Sequence, residues 1–530
     1  MPAVNAGEKR MDADVLIVGA GPTGLMLANQ LVRRGVRVLI IDRHSGPAQQ
    51  SRALGVQART LEIYAQLGIA GRAIELGKIG TGANLWAQGR HMGRVPLGDA
   101  GKAVTPYPYF LILGQDDNEL IMGERLEAQG IQVQWNAELV GLDQEADHVV
   151  ASIRQPDGSM RQVTAAWVAG CDGSRSAVRD LNGITFPGAP YEHVFFVADT
   201  EATGNMTPDE VNVYLLRSGF HLFFPMRGKD HWRIVGILPP GLRNRPDLKF
   251  EEVVPAVKAE AGPSLIFKSC SWFSTYRIHH RAASRFRDRR CFVLGDAAHV
   301  HSPVGAQGMN TGLQDAYNLG WKLAMVVKGQ ADPALLDSYE EERLPIAQRL
   351  LNTTDRGFRL VVSDNPLAGL FRTEIMARLG SMAMQVKAVQ KVAFRTVSQT
   401  GIHYAWSRLS QATEKLPADA PKAGERFPWL HLKFSANGPV EDSFGKLDDT
   451  KFNLLVFGQP APEGRFGMGE LLAVHPIPAD PMNDKELARA GIPSKSFYLV
   501  RPDGYVGLCG GLLNAAGFTR YVSERIRIKT

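Results

Sequence analysis

The chain has 530 residues, which is more than one hydrophobic core usually holds, so two or three domains are expected. Its hydrophobic fraction of 44% and charged fraction of 22% are ordinary for a soluble globular protein, and no apolar run approaches the ~20 residues of a membrane span. The net charge of +6 is scattered along the chain without a Lys/Arg block, which disfavours a nucleic-acid partner and leaves a general attraction for anionic ligands.

The cysteines and the N-terminus bear on the cellular compartment. Cys171, Cys270, Cys291 and Cys509 are far apart and include no CxxC pair, so we expect neither a zinc or iron–sulfur centre nor a disulfide framework. Residues 1–11 are polar and lack the apolar stretch of a secretory signal. We therefore expect a cytoplasmic protein that binds no metal.

The first predicted unit is a strand, a glycine-rich turn, a helix and a second strand. Residues 14–18 are a β-branched run typical of a buried parallel strand, residues 25–34 have helical spacing, and residues 36–41 form the second strand. The turn carries a GxGxxG motif, whose glycines permit the turn, the approach of backbone to a pyrophosphate, and close packing of the helix on the sheet. These glycines are Gly19, Gly21 and Gly24.

An acidic residue completes this unit. The second strand ends at Asp42, with Arg43 next to it. A carboxylate roughly 20 residues beyond such glycines accepts hydrogen bonds from ribose hydroxyls. The order of these features predicts a dinucleotide site, and the pattern alone leaves FAD and NAD both open.

Two further motifs lie downstream. A DG pair, Asp172-Gly173, follows an apolar run. Later, the strand-like run RCFVL precedes GDAAH, which contains Asp296, and a Gly/Pro-rich loop at 302–310 leads into a predicted helix over 311–327. A carboxylate at a strand end can accept hydrogen bonds from a ribityl chain, and the helix directs its positive end at the loop, where it favours the negative charge of a reduced flavin.

Together these motifs resemble those of the single-component FAD-dependent aromatic hydroxylases, the family of para-hydroxybenzoate hydroxylase, phenol hydroxylase and pentachlorophenol 4-monooxygenase. The resemblance covers about residues 12–350 and, more weakly, the remainder. It implies an α/β fold: a Rossmann-like FAD-binding domain with an inserted antiparallel-sheet substrate domain, as in para-hydroxybenzoate hydroxylase, and a C-terminal thioredoxin-like domain. It also implies FAD as cofactor, NADH or NADPH as reductant, and hydroxylation of a substituted phenol or related aromatic by O2 through a flavin C4a-hydroperoxide.

The resemblance assigns cofactor contacts by position. Arg52 matches an arginine by the cofactor phosphates, Gln115 a glutamine that contacts the flavin, and Asp172 the aspartate near the pyrophosphate. Asp296 matches the aspartate that binds the ribityl chain. The residues that match the loop over the flavin ring are Pro303, Gly308, Met309 and Asn310. His299 and His301 form an HxH pair with no acidic or cysteine partner at ligand spacing, so hydrogen bonding near the flavin is favoured over a metal site.

The segment between the DG and GDAAH motifs alternates apolar and polar residues, which predicts an antiparallel sheet. In the family this sheet covers the substrate pocket. Aromatic residues that could line the pocket, or simply fill the core, are Phe220, Phe223, Phe224, Trp232, Trp272, Phe273 and Tyr276.

The resemblance also indicates two catalytic candidates. Arg233 could stabilise a phenolate and Tyr214 could relay its proton; the alternative, that both are ordinary polar residues of alternating strands, stays open. One position departs from the family. Phenol hydroxylase carries an aspartate base where this chain has Leu54, which puts simple phenol in doubt as the substrate.

The C-terminal region contains further strands at 452–457 and 496–501 and lacks CxxC, so redox chemistry there is not expected. A structural role, or a contact between two copies in a homodimer, is the default. The predicted domains are therefore an FAD-binding domain of residues 12–187 and 281–400, a substrate domain of 188–280 and a thioredoxin-like domain of 424–530.

Other functions remain open at the level of sequence. The same fold supports flavin oxygenases that act by epoxidation, by Baeyer–Villiger oxidation or in polyketide tailoring, and a non-enzymatic FAD-binding sensor is a third class. A flavin halogenase is disfavoured because no WxWxIP segment surrounds any of the eight tryptophans.

Overall fold

The computed structural model describes residues 11–48, 53–96, 98–217, 219–245, 247–301, 307–362, 365–376 and 386–529, with the backbone alone for 353–362, 366, 367, 375 and 376. In the part of the chain it describes, no helix combines the length and apolar character needed to cross a lipid bilayer.

The strands occur throughout the chain. In chain order they are β1 (Ala13–Val18), β2 (Val38–Ile41), β3 (Gly55–Val56), β4 (Lys78–Gly80), β5 (Gly82–Ala87), β6 (Arg90–Pro96), β7 (Phe110–Ile112), β8 (Glu138–Gln144), β9 (Val149–Arg154), β10 (Met160–Gly170), β11 (Gly188–Thr203), β12 (Val211–Leu216), β13 (Gly219–Pro225), β14 (His231–Ile237), β15 (Ile266–Ala282), β16 (Arg287–Asp288), β17 (Cys291–Val293), β18 (His299–Val300), β19 (Gln411–Ala412), β20 (His431–Lys433), β21 (Val440–Asp442), β22 (Phe452–Phe457), β23 (Leu472–Ile477), β24 (Ser496–Val500) and β25 (Val506–Gly510).

The α-helices surround these sheets. They are α1 (Pro22–Val32), α2 (Ala58–Gln66), α3 (Ala70–Leu76), α4 (Gln115–Glu127), α5 (Ala177–Leu181), α6 (Phe250–Ala261), α7 (Gly308–Val327), α8 (Asp337–Val362), α9 (Pro366–Leu370), α10 (Lys387–Val397), α11 (Ser443–Lys446), α12 (Pro481–Ala490) and α13 (Ala515–Tyr521). The helix predicted over 311–327 is thus confirmed as part of α7.

A parallel sheet brings the three sequence motifs to one edge. It has seven strands, of which five run in the order β16-β17-β10-β1-β2, with β17, β10, β1 and β2 parallel. The remaining two, β8 and β9, join it at β10, and they and β16 pair in antiparallel. Val18 pairs with Gly170, and Gly170 pairs with Val293. The GxGxxG, DG and GDAAH motifs therefore begin side by side at the carboxyl ends of adjacent strands, where ligands bind in open parallel sheets.

The substrate sheet has eight strands in the order β18-β15-β11-β14-β13-β12-β5-β6. Strands β11 to β15 come from the segment predicted as an antiparallel sheet. Strands β5 and β6 come from residues 82–96, which the predicted boundaries place in the FAD-binding domain, and β5 pairs with β12 in parallel. The three domain ranges themselves stay a proposal.

The two faces of the substrate sheet have different surroundings. We call the face that packs on α6 the outer face; its buried side chains include Phe196, Tyr214, Phe223, Trp232 and Ile234, in contact with Phe250, Val253 and Val257 of α6. We call the opposite face the inner face; there Val211, Val213 and Phe224 pack with Leu54, Phe110 and Ile112 of the nucleotide-binding part. The inner face therefore lies towards the cofactor motifs.

The C-terminal region forms a mixed five-stranded sheet with helices, a thioredoxin-like arrangement. Its strands run in the order β19-β25-β24-β22-β23, with β22 and β23 parallel and β24 antiparallel to both of its neighbours. Its core also includes Trp321 and Met325 of α7, packed with Phe452 and Leu454. This sheet is consequently attached to the helix that leaves the Gly/Pro-rich loop.

Candidate active site

The GxGxxG turn joins β1 to α1. Gly19 has a φ of +103°, and a Cβ at this position would collide with the Cys171 carbonyl. A Cβ at Gly24 would collide with the Gly19 carbonyl oxygen. At Gly21 a Cβ would meet only Glu119 Oε1, at 4.0 Å. Protein packing thus requires two of the glycines and leaves space beside the third, next to the N-terminus of α1, which fits a diphosphate.

Asp42 connects the end of β2 to this turn. One carboxylate oxygen accepts a hydrogen bond from the Ala20 N–H at 2.7 Å, and the other accepts from the His44 N–H at 2.8 Å. Arg43 and His44 line a cavity of about 390 Å³ together with Arg154. This cavity is polar and lies on the strand-end side where a ribose and its base would be held.

The Asp172 carboxylate of the DG pair binds the first turn of α5. Its Oδ2 accepts from the Ala177 N–H at 2.7 Å, and its Oδ1 is buried with no hydrogen-bond partner among the described residues. Desolvation raises the pKa of Asp172, against the lowering effect of Ser176 and the nearby backbone N–H groups. A buried oxygen of this kind is costly unless a further group pairs with it.

Asp296 lies in a turn whose neighbours are buried. Gly295 and Ala297 are buried, whereas the Asp296 side chain is accessible. It is nevertheless enclosed enough that desolvation raises its carboxyl pKa, with His299 acting in the opposite direction. The side chain therefore faces a cleft at the strand ends, where a hydroxylated chain such as ribityl fits.

The end of the Gly/Pro-rich loop leads into α7. Gly308 is the first residue of the helix and Met309 packs half-buried against the nucleotide-binding core. The buried Asn310 side chain accepts from the Gln57 N–H at 2.9 Å and from the Thr60 hydroxyl at 2.7 Å. It also donates to the Gly55 carbonyl at 2.8 Å. Asn310 therefore binds α7 to the start of α2, a role that its sequence motif did not indicate.

Gln115 and Glu119 lie one turn apart on α4. Gln115 Nε2 donates to Glu119 Oε1 at 2.8 Å, and Glu119 Oε2 accepts from the Ala48 N–H at 2.8 Å. Desolvation raises the pKa of Glu119. Sequence reasoning identified Gln115 and missed Glu119, whose position one helical turn later is the only signal the sequence offers.

A buried polar network fixes the GDAAH turn. His299 Nε2 lies 2.7 Å from Asp315 Oδ2, which also accepts from the Gly295 N–H at 3.1 Å. Arg343 donates to Asp315 Oδ1 at 2.6 Å and to the Tyr404 hydroxyl at 2.9 Å. Against full desolvation, Arg343 and His299 hold the pKa of Asp315 below its usual value. His299 thus has a hydrogen-bonding role beside the turn that carries Asp296. Sequence reasoning missed Asp315, the one acidic residue of α7, and Arg343, which follows three glutamates in α8 and looks like a surface residue.

The structure does not bring the two catalytic candidates together. Tyr214 lies on the outer face, where its hydroxyl donates to the Asn205 carbonyl at 2.6 Å and its ring stacks on Trp86. Arg233 lies on the inner face, paired through two nitrogens with Asp199 at 2.6 Å each. Side chains alternate along a strand, and cross-strand register puts these two residues on opposite sides of one sheet.

The aromatic residues divide in the same way. Phe223, Trp232 and Phe273 pack with the outer-face cluster and do not reach the inner side. Phe224 contacts Leu54 across the inner face, and the Arg233 guanidinium lies 5.3 Å from the Trp272 ring centre. Those that lie on the inner side by register are Phe220, Phe224, Trp272 and Tyr276. Two other candidates, Arg52 and Pro303, fall outside the described residues.

Comparison with known proteins agrees with this geometry. The model of the FAD binding domain family matches residues 12–354. The chain belongs to the family of single-component FAD-dependent aromatic hydroxylases. It is 34% identical to 6-methylpretetramide 4-monooxygenase of Streptomyces rimosus, with 94% of this chain and 90% of that protein covered. It is 31% identical to pentachlorophenol 4-monooxygenase of Sphingobium chlorophenolicum, with 96% of each covered.

Solved structures agree as well. A ternary complex of aklavinone-11 hydroxylase with FAD and aklavinone superposes with a TM-score of 0.78 at 26% identity, covering 98% of this chain and 99% of that one. The protein is thus an FAD-dependent aromatic monooxygenase with the fold predicted for it, and its substrate is a small aromatic molecule.

Proposed function

We propose that this hydroxylase uses NAD(P)H and O2 to oxygenate a phenol that is already acidic, either a ring with electron-withdrawing substituents or a fused polyphenol. FAD, when bound, supplies the oxygen activation. The chain's own contribution to substrate ionisation is what distinguishes one phenol from another, because a phenolate is the better nucleophile and phenol, with a pKa near 10, is only about one part in a thousand ionised at neutral pH.

The observation that carries this proposal is the inner face itself. Leu54, at the place of the family's aspartate base, lies in an apolar cluster with Phe110 and Ile112. Arg233, the expected cation, is 5% exposed and neutralised by a two-bond ion pair with Asp199. The two positions that would ionise a weak phenol therefore offer an apolar side chain and a compensated charge. A substrate that ionises by itself needs neither.

The names of two relatives indicate substrates of this class of acidic phenols. Pentachlorophenol carries electron-withdrawing chlorines, and 6-methylpretetramide is the named substrate of another relative. These names support the proposed class without choosing between a single ring and a fused polyphenol.

A series of phenols of different acidity tests this proposal. We expect 4-nitrophenol and 2,4,6-trichlorophenol to stimulate NAD(P)H oxidation at least about tenfold more than phenol at pH 7, with the difference narrowing as the pH approaches the phenol pKa. Product mass should rise by one oxygen, less any substituent lost. Equal stimulation by phenol at pH 7 would contradict the proposal.

Leu54→Asp provides a matched variant, with Leu54→Asn as its uncharged control. A carboxylate at this position should raise the activity towards phenol relative to 4-nitrophenol, and the amide should not. If both variants change the ratio equally, the effect is one of polarity and not of proton transfer.

We also propose roles for the cofactor candidates. The space beside Gly21 takes the diphosphate, Asp42 with Arg43 takes the ribose end, Asp172 binds near the diphosphate, and Asp296 binds the ribityl chain. Gln115, Gly308, Met309 and Asn310 border the flavin ring, in the case of Asn310 through its backbone, because its side chain is engaged with residues 55–60. Anaerobic reduction of the bound flavin by NADH and by NADPH, compared at equal concentration, identifies the reductant.

A cytoplasmic location and a homodimer complete the proposal. Fractionation of the producing cells tests the first, and light scattering of the purified protein tests the second.

A further inference from the structure

The C-terminal sheet touches the two helices that border the proposed flavin site. One contact point is the N-terminal end of α2, and the other is α7, which starts at Gly308. At their cofactor ends these helices are joined to each other by Asn310, which binds Gly55, Gln57 and Thr60. The relative position of α2 and α7 therefore sets the geometry of residues 55–60 and 308–310.

A buried ionic cluster holds α2 to the C-terminal region. We call it the latch: Arg59 and Glu62 of α2 with Arg426. The Glu62 carboxylate accepts from Arg426 Nε at 2.9 Å, from Arg59 at 2.9 Å and from the Thr105 hydroxyl at 2.7 Å. Arg59 also donates to the Asp503 carbonyl at 2.6 Å. The side chains of Glu62 and Arg426 are only 2% and 6% exposed.

A second set of contacts holds α7 to the same segment. The Tyr317 hydroxyl lies 3.1 Å from the Pro502 carbonyl, and Trp321 Nε1 donates to Asp503 Oδ2 at 3.0 Å. These residues lie about two and three helical turns beyond Asn310. The segment around Asp503 is thus a common anchor for both helices.

The energetics of the latch indicate a positioning role. The C-terminal sheet is already held on α7 by apolar packing of Trp321 and Met325 against Phe452 and Leu454. A buried ion pair adds little net stability compared with apolar residues of the same size, because both charges lose their hydration. The ion pair does restrict the relative orientation of α2 and the C-terminal region, because a guanidinium and a carboxylate bind in a restricted geometry.

We propose that the C-terminal region is a positioning element of the flavin site: through the latch it holds α2 against α7 and so fixes residues 55–60 and 308–310 in the arrangement that binds FAD tightly. This inference rests on the cofactor roles proposed above for Gly308 to Asn310. The C-terminal region, which has no redox motif, would thus act on the flavin site from a distance. Glu62, Arg59 and Arg426 are its positioning residues.

The test compares Arg426→Met with Arg408→Met in the full-length chain. Arg408 also joins the C-terminal region to the rest of the protein, through Glu341 of α8 at 2.6 Å, but it does not contact α2 or α7 by this bond. We expect Arg426→Met to raise the FAD dissociation constant of the apoprotein at least about tenfold and to increase the fluorescence of bound flavin, because small displacements of positioning groups have large effects. Arg408→Met should stay within about twofold of the parent protein.

Thermal unfolding of the apoproteins separates positioning from stability. An unchanged FAD dissociation constant in Arg426→Met, whatever its melting temperature, overturns the proposal, and so does an equal increase in both variants. Arg426→Met leaves Glu62 paired with Arg59 at 2.9 Å, so the buried charges of this variant stay balanced and it should fold, yet bind FAD weakly. These measurements need no substrate, so a failed phenol series leaves them intact.

Discussion

The nucleotide-binding turn and the inner face of the substrate sheet differ in how far other protein groups fill or neutralise them. At the turn, the space beside Gly21 and the buried Oδ1 of Asp172 have no protein group to fill or pair with them among the described residues. On the inner face, the Arg233 charge is already paired with Asp199, and the position of Leu54 is apolar. The turn therefore leaves space for a ligand beside Gly21, whereas the Arg233 charge of the inner face is paired within the protein.

The two ligands should accordingly be recognised in different ways. FAD is large and polar, so preformed N–H groups and carboxylates can determine its binding. On the inner face, where we propose that the aromatic substrate binds, Arg233 is already paired with Asp199, so we expect shape and the substrate's own acidity to decide which molecule reacts. Changes at the turn should therefore weaken cofactor binding strongly, whereas changes on the sheet should alter turnover or stability and leave cofactor binding intact.

The largest effect on ligand binding is expected for Gly21→Ala. Gly21 has an ordinary φ of −69°, and an added Cβ would meet no protein atom closer than 4.0 Å, so the apoprotein should fold normally. The methyl group would occupy the diphosphate space, and we expect FAD affinity to fall by about a hundredfold, or about 2.7 kcal/mol. Titration of the apoprotein with FAD measures this. Gly123→Ala, a helical glycine with no atom within 4 Å of the added Cβ, is the control and should bind FAD normally.

The next effect concerns Arg233. Arg233→Met leaves the half-buried Asp199 without its cation, which should destabilise the fold by about 2–3 kcal/mol. Adding Asp199→Asn should restore most of that stability. If Arg233 also orients the substrate, kcat/KM of the double variant stays at least about tenfold below the parent value. A double variant with parental kcat/KM would make the ion pair purely structural and weaken the contrast between the two regions.

A pH effect is expected from His221 on the outer face. Burial lowers the pKa of His221 to about 4, because the ring lies against Phe196 in the sheet core. The unfolded chain therefore binds a proton near pH 6.5 that the folded chain takes up only near pH 4, so stability falls as pH decreases through this window, by up to about 3 kcal/mol. Urea unfolding at pH 7 and pH 4.5 measures this, and His221→Phe should remove that part of the difference. An unchanged difference in the variant would assign the acid sensitivity to other groups.

The smallest effect is expected for Tyr214→Phe. Desolvation raises the pKa of Tyr214, and its hydroxyl is bonded to the Asn205 carbonyl on the side of the sheet that α6 covers. We expect a loss of about 1 kcal/mol of stability from the missing hydrogen bond. Substrate-dependent turnover should remain within about twofold of the parent value. A loss of turnover without a loss of stability would instead indicate that Tyr214 takes part in catalysis.

The positions of Tyr214 and Arg233 show that a sequence pattern can predict a strand without predicting which face of the sheet a residue occupies. Both residues lie in predicted strands, and both strands are present. The face that each residue occupies depends on cross-strand register, which pairs Tyr214 with His221 and Arg233 with Phe224. Because side chains alternate at every residue, a shift of one position exchanges the two faces. Resemblance to a family at aligned positions does not establish the cross-strand register.

The nucleotide-binding unit could be predicted from the sequence, because its strand, turn and helix are local and are present as predicted. The cofactor roles of Gly19, Gly21, Gly24 and Asp42 could be proposed from their spacing alone. Only the tertiary structure decided that the three motifs meet at one sheet edge, that the ionic latch ties α2 to the C-terminal region, and that Arg233 is neutralised. The physical reason is that these arrangements join residues more than thirty and as many as several hundred positions apart, whose charges and registers interact only once the sheets have packed.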